Sequence, residues 1–170
     1  MLRLRPYHPN DAQHVVSWIT DETAFYKWCA NRFDKYPITA EELNDHYYSA
    51  GEDFFVMTAF DEDGPVGQLT MRYPEENRTH VRFGYIIVDD RRRGKGYGRQ
   101  MLTLALEYAF RILGAGKVSL GVFENNPSAQ RCYKASGLRE TGGGWTCNIM
   151  GEEWKCIEMC VKKEDYYANI

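Results

Sequence analysis

The sequence predicts a mixed α/β domain. Three features carry that expectation: short apolar runs of strand length, two segments with helical periodicity, and a glycine-rich turn joining a strand to a helix. A chain of 170 residues is long enough to bury its own core, and it reads as a single domain over residues 1–170.

The elements follow in order. Leu2 and Leu4 alternate with Arg3 and Arg5, which makes a short strand. Asn10 or Asp11 is the expected cap of a helix running to about Thr20. Residues 21–39 read as irregular and aromatic-rich, with Phe25, Tyr26, Trp28, Phe33 and Tyr36. Thr39, followed by Glu41 and Glu42, starts a second helix that ends near Gly51. Phe54 to Phe60 and Val66 to Tyr73 are strands joined by the turn Asp61-Glu62-Asp63-Gly64. After a turn at Pro74 to Arg78, a strand from Thr79 to Val88 leads into the glycine turn. From Gly98 to Leu113 a stripe of Leu102, Ala105, Leu106, Ala109, Phe110 and Leu113 marks a helix, stopped by Gly114 and Gly116. Lys117 to Phe123 is a strand. Asn126 as cap and Pro127 at the first helical position open a helix ending at Gly137. Leu138 to Thr141 begins the tail, Gly142 to Gly144 interrupt it, and Trp145 to Met150 with Trp154 to Val161 close it as a hairpin. The expected order is β-α-α-β-β-β-α-β-α-β-β.

Bulk composition narrows the function classes. The apolar fraction of 44% and charged fraction of 26% are ordinary for a soluble protein. A net charge of −3 supplies no global field toward nucleic acid or membrane. No apolar run approaches a membrane span, and Met-Leu-Arg-Leu-Arg-Pro lacks a signal-peptide core. The five cysteines are scattered, with no Cys-x-x-Cys pair, and read as reduced thiols of a cytoplasmic protein. Cys156 and Cys160 share a strand face as packing residues, and no metal site is expected.

The informative segment is Asp89 to Leu102, where Gly94, Gly96 and Gly98 alternate through a basic stretch directly after Tyr85-Ile86-Ile87-Val88. A turn with few side chains, opening a helix, brings backbone N–H groups and the helix dipole to bear on an anion. A P-loop needs Ser or Thr after Gly-Lys, and Gly96 stands there. The dinucleotide fingerprint fails from Gly94, which reaches Arg99, and from Gly96, which reaches Met101. What fits is Arg-x-x-Gly-x-Gly at Arg93, Gly96 and Gly98, with a second register at Arg91, Gly94 and Gly96.

A second segment runs Glu124-Asn125-Asn126-Pro127-Ser128-Ala129-Gln130-Arg131-Cys132-Tyr133, then Lys134-Ala135-Ser136-Gly137-Leu138. Together the two segments resemble the GNAT-type acetyl-CoA-dependent N-acetyltransferases, with Leu138 where the family signature has phenylalanine. The resemblance implies a GNAT-like fold, a mixed and mostly antiparallel sheet flanked by helices. It implies that the turn Arg93, Gly94, Lys95, Gly96, Tyr97, Gly98 and Arg99 grips the coenzyme A pyrophosphate. Ile86, Ile87 and Val88 would offer strand backbone to the pantetheine arm, and Asn126 a further contact beside its capping role. Tyr133 would protonate the departing thiolate, a phenol near pKa ~10 being matched to a thiol.

The family's usual glutamate, two residues before Gly84-Tyr85, is Arg82 in this chain. Asp21, Glu22, His80, Glu140 and Glu158 are alternative bases, and none is singled out. Arg91 and Arg92 either stay solvated or meet the coenzyme's outer phosphate. The aromatic segment 21–39 and Trp145 fall where relatives border the acceptor cleft. The strand and helix phrasing is nearer the ribosomal-protein acetyltransferase branch. The expected partners are acetyl-CoA and an amine acceptor, small molecule or protein, without nucleic acid or membrane; a homodimer is left open. The competing readings are a non-catalytic acyl-CoA-binding module and a nucleic-acid-binding domain using Arg91 to Arg93.

Overall fold

In the computed structural model, which describes residues 1–170, seven strands form one sheet. They are β1 (Arg3–Pro6), β2 (Phe54–Asp61), β3 (Gly64–Arg72), β4 (His80–Val88), β5 (Lys117–Phe123), β6 (Arg139–Ile149) and β7 (Glu152–Lys162), in spatial order β1-β2-β3-β4-β5-β7-β6. All neighbours are antiparallel except β4 and β5. That parallel pair meets only at His80–Arg82 against Lys117–Ser119, and beyond it the two strands diverge. Helices α1 (Ala12–Trp18), α2 (Glu22–Cys29) and α3 (Ala40–Tyr48) pack on one face. Helices α4 (Tyr97–Glu107), α5 (Pro127–Ala135) and α6 (Lys163–Ala168) pack on the other.

The fork has a local cause. Between Gln68↔Ile87 and Thr70↔Gly84 the β4 strand carries one residue more than β3, a β-bulge centred on Tyr85 at φ 47°. An extra residue inverts the side-chain alternation. Val81 and Phe83 accordingly pack toward α4, whereas Tyr85 and Ile87 pack toward α1–α3. The indole of Trp28 on α2 donates to the bulged Tyr85 carbonyl at 3.1 Å and pins the helix layer to it.

The fold class and strand order are those expected, with local differences. Residues 21–39 contain α2, which the sequence reading left irregular. Asp21 caps it by accepting from the Ala24 amide at 2.7 Å, and Phe25, Trp28 and Cys29 form its buried stripe. The first helix begins at Ala12 after a 3-10 turn, Pro9–Asp11, and neither Asn10 nor Asp11 caps it. Asp11 instead turns inward, accepting from Arg5, from the His8 amide and from the Thr58 hydroxyl. The long helix runs on from α4 through a π turn, Tyr108–Ile112. Gly142 to Gly144 do not interrupt the tail: β6 is continuous, with a bulge between Glu140 and Gly144. A Cβ on Gly144 would stand 2.2 Å from the Cys156 carbonyl oxygen, so only glycine lets the strands meet there. α6 is an addition to the expected order.

Candidate active site

A cavity of about 910 Å³ opens at the β4–β5 fork. Ile86, Ile87, Val88, Arg93, Gly94, Gly96, Gly98, Arg99, Asn126 and Tyr133 all border it. Two residues of the sequence expectation do not. Lys95 is exposed outside it, and Tyr97 lies under the Arg92 guanidinium, 5.4 Å from its ring centroid.

The turn is built for an anion. Gly94 and Gly96 sit at φ 74° and 85°, a region glycine enters without strain. The amides of Gly94 to Arg99 make no backbone hydrogen bond, and the first ladder bond of α4 runs from Gln100 N–H to the Gly96 carbonyl at 3.1 Å. Gly98 has a different task. A Cβ there would lie 3.3 Å from Cys132 Sγ, so the glycine lets α4 and α5 close up. Arg93 and Arg99 border the cavity with no carboxylate partner. Arg91 and Arg92 serve the turn itself. The Arg91 guanidinium donates twice to Asp89, at 3.1 and 3.0 Å, its amide once more at 3.0 Å, and Arg92 binds Asp61 and Asp63. Burial opposes the Asp89 charge, but the Arg91 bonds outweigh it and hold its carboxyl below the usual range. Arg91 and Arg92 are thus neutralised at home, and of the three only Arg93 has no carboxylate partner.

Above the turn, Asn126 caps α5 by accepting from the Ala129 amide at 3.3 Å. The helix presents Ala129 and, one turn later, Tyr133 to the cavity. Tyr133 is 7% exposed, and its hydroxyl has no partner within the protein. Burial, then the neighbouring thiols of Cys132 and Cys156, push its phenol well above the ordinary value. Past the fork, the edge of Ile86 to Val88 that faces β5 has no strand partner, which leaves its peptide groups open to a ligand.

The opposite rim is formed by α2 and the bulge. Trp28, Tyr85 and the first turn of α2 border the cavity, and His46 reaches the Tyr85 hydroxyl at 2.7 Å. Trp145 lies over Gly121, where a Cβ would meet its ring at 2.6 Å. Among the five alternative bases, Asp21 and Glu22 border the cavity. Glu158 accepts two bonds from Arg82, at 2.6 and 3.0 Å, and His80 meets Ser119 at 2.6 Å. Glu140 pairs with exposed Lys134. No local pattern announces the Tyr85 bulge or the Trp28 bond, because both depend on strand pairing.

Comparison with known proteins agrees with this architecture. A family model described as "Acetyltransferase (GNAT) domain" matches residues 1–139. The spermidine N(1)-acetyltransferase of Escherichia coli K12 is 24% identical over 170 residues, covering 99% of this chain and 89% of the relative. A spermine/spermidine N(1)-acetyltransferase of Bacillus subtilis is 31% identical over 75 residues, 44% of this chain and 49% of its own. The spermidine N-acetyltransferase of Vibrio cholerae, solved with CoA and spermine, superposes with a TM-score of 0.81 at 22% identity, covering 98% of both chains. The relatives named here are polyamine acetyltransferases. No helix is long and apolar enough to cross a membrane. The family match over residues 1–139, on a fold whose glycine turn opens a helix beside a strand fork, makes this chain a member of the GNAT family of acetyltransferases.

Proposed function

We propose that this acetyltransferase moves the acetyl group of acetyl-CoA to a primary amine, with the turn Arg93 to Arg99 holding the pyrophosphate and Tyr133 acting as general acid. One observation carries the reading: a single cavity is bordered by Gly94, Gly96, Gly98 and Arg99 with their unbonded amides, the free edge of Ile86 to Val88, and the unpartnered Tyr133 hydroxyl. Those are, in order, donors for phosphate, peptide groups for an amide-containing arm, and a proton donor.

The chemistry follows from these groups. The neutral amine nitrogen attacks the thioester carbonyl, a C–N bond forms and the C–S bond breaks. The sulfur leaves with the electron pair and takes the proton of the Tyr133 hydroxyl, and the amine gives up one proton to restore it. Burial raises the Tyr133 pKa, so the phenol carries its proton at neutral pH, and the same rise takes it above the match to a thiol that an ordinary phenol offers. Arg82 is held by Glu158 and is not a base, so deprotonation of the acceptor falls to desolvation in the aromatic rim or to water. Spermidine and spermine, on which the named relatives act, are the first acceptors to assay. The test is acetyl-CoA titration by calorimetry, followed by release of free thiol across a panel of primary amines. Saturable binding with amine-dependent thiol release is expected. Binding without release for any amine would leave an acyl-CoA-binding module, and no binding would remove both.

A further inference from the structure

The acceptor side of the fork carries a charge pattern that the acetyl-transfer reading does not use. Arg72 ends β3 directly opposite Arg82 on β4, so the two share the sheet face that holds Tyr85 and α2. Arg32, just beyond α2, lays its guanidinium over the Tyr85 ring at 5.3 Å, and Tyr85 borders the cavity. Arg82 lies 5.5 Å from the centroid of Trp145, whose ring rests on Gly121 at the cavity wall. The three cations are close enough to act on one another. Arg72 is exposed at the end of β3, yet desolvation, then the positive fields of Arg82 and Arg32, hold its pKa below normal.

Only one carboxylate answers them. Glu158 takes both of its bonds from Arg82 and neutralises that residue. Arg72 has no hydrogen-bond or ion-pair partner, and Arg32 has only a 3.4 Å bond to the Cys29 carbonyl. The histidines on this face do not change the balance: burial holds both His46 and His80 below their ordinary pKa, and so neutral at pH 7. At the other rim the Asp21 carboxylate is spent on the α2 cap, which leaves Glu22 against Lys27. A cleft meant for a polycation would show the reverse balance. Arg32 and Arg72 lie beside the cavity and not in its wall, and uncompensated cations that repel each other there are relieved by an anion.

We infer that the acceptor carries a carboxylate in addition to its amine, and that Arg72, supported by Arg32, is the specificity-determining residue that binds it. The inference rests on the acetyltransferase reading and adds the class of acceptor. The geometry fits: Arg72 is level with Arg82, two residues and about 7 Å along the strand from Gly84 at the cavity. A carboxylate held at Arg72 places the amine of a flexible acceptor at the fork. Guanidinium and carboxylate meet in a two-bond geometry that an ammonium cannot offer.

The test compares three acceptors at saturating acetyl-CoA: 6-aminohexanoate, its neutral amide 6-aminohexanamide, and spermidine. The first two differ only in the carboxylate. The expected result is a kcat/KM for 6-aminohexanoate about tenfold or more above the amide, with spermidine the poorest of the three. Arg72→Gln brings the ratio of the first two toward unity, chiefly through KM of the acid, and Arg32→Gln does so in part. Preference for spermidine, or a loss in Arg72→Gln that falls equally on all three acceptors, overturns the inference and leaves the acetyltransferase reading intact. Thiol release from none of them, nor from any other amine, overturns both.

Discussion

Replacing Gly96 by alanine isolates what the glycine turn contributes. Gly96 holds φ 85°, ψ 0° as the residue before α4. An L-residue in that left-handed region costs about 1–2 kcal/mol. Nothing in the protein obstructs the new methyl group, since the nearest atom is Gln100 Nε2 at 3.8 Å. The penalty is therefore conformational and not steric. The turn lies at the surface, so it escapes the penalty by relaxing locally, which swings the amides ahead of α4 away from their common focus. Coenzyme binding must then restore the strained form, and the full penalty appears in affinity. The expected outcome is a CoA Kd raised about 5- to 30-fold by calorimetry, with only a small fall in melting temperature. Gly51→Ala is the control, because Gly51 has φ 92° and open space around it, remote from the cavity. It should lower stability by a similar amount and leave the CoA Kd alone. Wild-type affinity in Gly96→Ala would refute the reasoning, since the turn would then bind nothing through its backbone.

Two further expectations concern charge. Asp11, 4% exposed, accepts from half-exposed Arg5, from the His8 amide and from the buried Thr58 hydroxyl; Asp11→Ala leaves Thr58 without its acceptor and should cost about 1–3 kcal/mol in chemical denaturation. Although burial opposes it, bonds from Arg5, His8 and Thr58 depress the Asp11 pKa, so its contribution is complete above the unfolded value near ~4 and is lost as pH falls through the lower folded value. Stability measured against pH should therefore decline on the acid side, and the Asp11→Ala variant should show less of that decline. Burial raises the Tyr133 pKa, so a kcat profile should show no loss from phenol ionisation up to about pH 10. A basic limb below that pH that disappears in Tyr133→Phe would contradict the raised pKa and not the role of the hydroxyl.

Features that depend on neighbours in sequence were legible in the chain. The capping box of Thr39 and Glu42 forms both of its reciprocal bonds, and Asn126-Pro127 opens α5 as its composition requires. β5 begins and ends where its apolar run does. What escaped is non-local. The β4 bulge exists only as a register difference with β3, so no property of Tyr85 alone announces it. Arg82 looked like a missing base, yet its partner Glu158 lies on β7, across β5, where sequence spacing gives no hint. Arg92 looked available to phosphate, and Asp61 on the β2–β3 hairpin takes it. Helix α2 was missed for another reason: its aromatic residues favour a helix weakly, and its stability comes from the packing of Phe25 and Trp28 against Phe33, Tyr36 and Tyr85.

In the proposed reaction one cavity binds acetyl-CoA and the Tyr133 hydroxyl completes the transfer. Turnover and CoA affinity measured side by side in Tyr133→Phe test it most directly. The substitution keeps the buried ring and removes one hydroxyl that has no partner in the protein. An unchanged CoA Kd with kcat reduced about 10²- to 10⁴-fold is expected. Full turnover in Tyr133→Phe would contradict it.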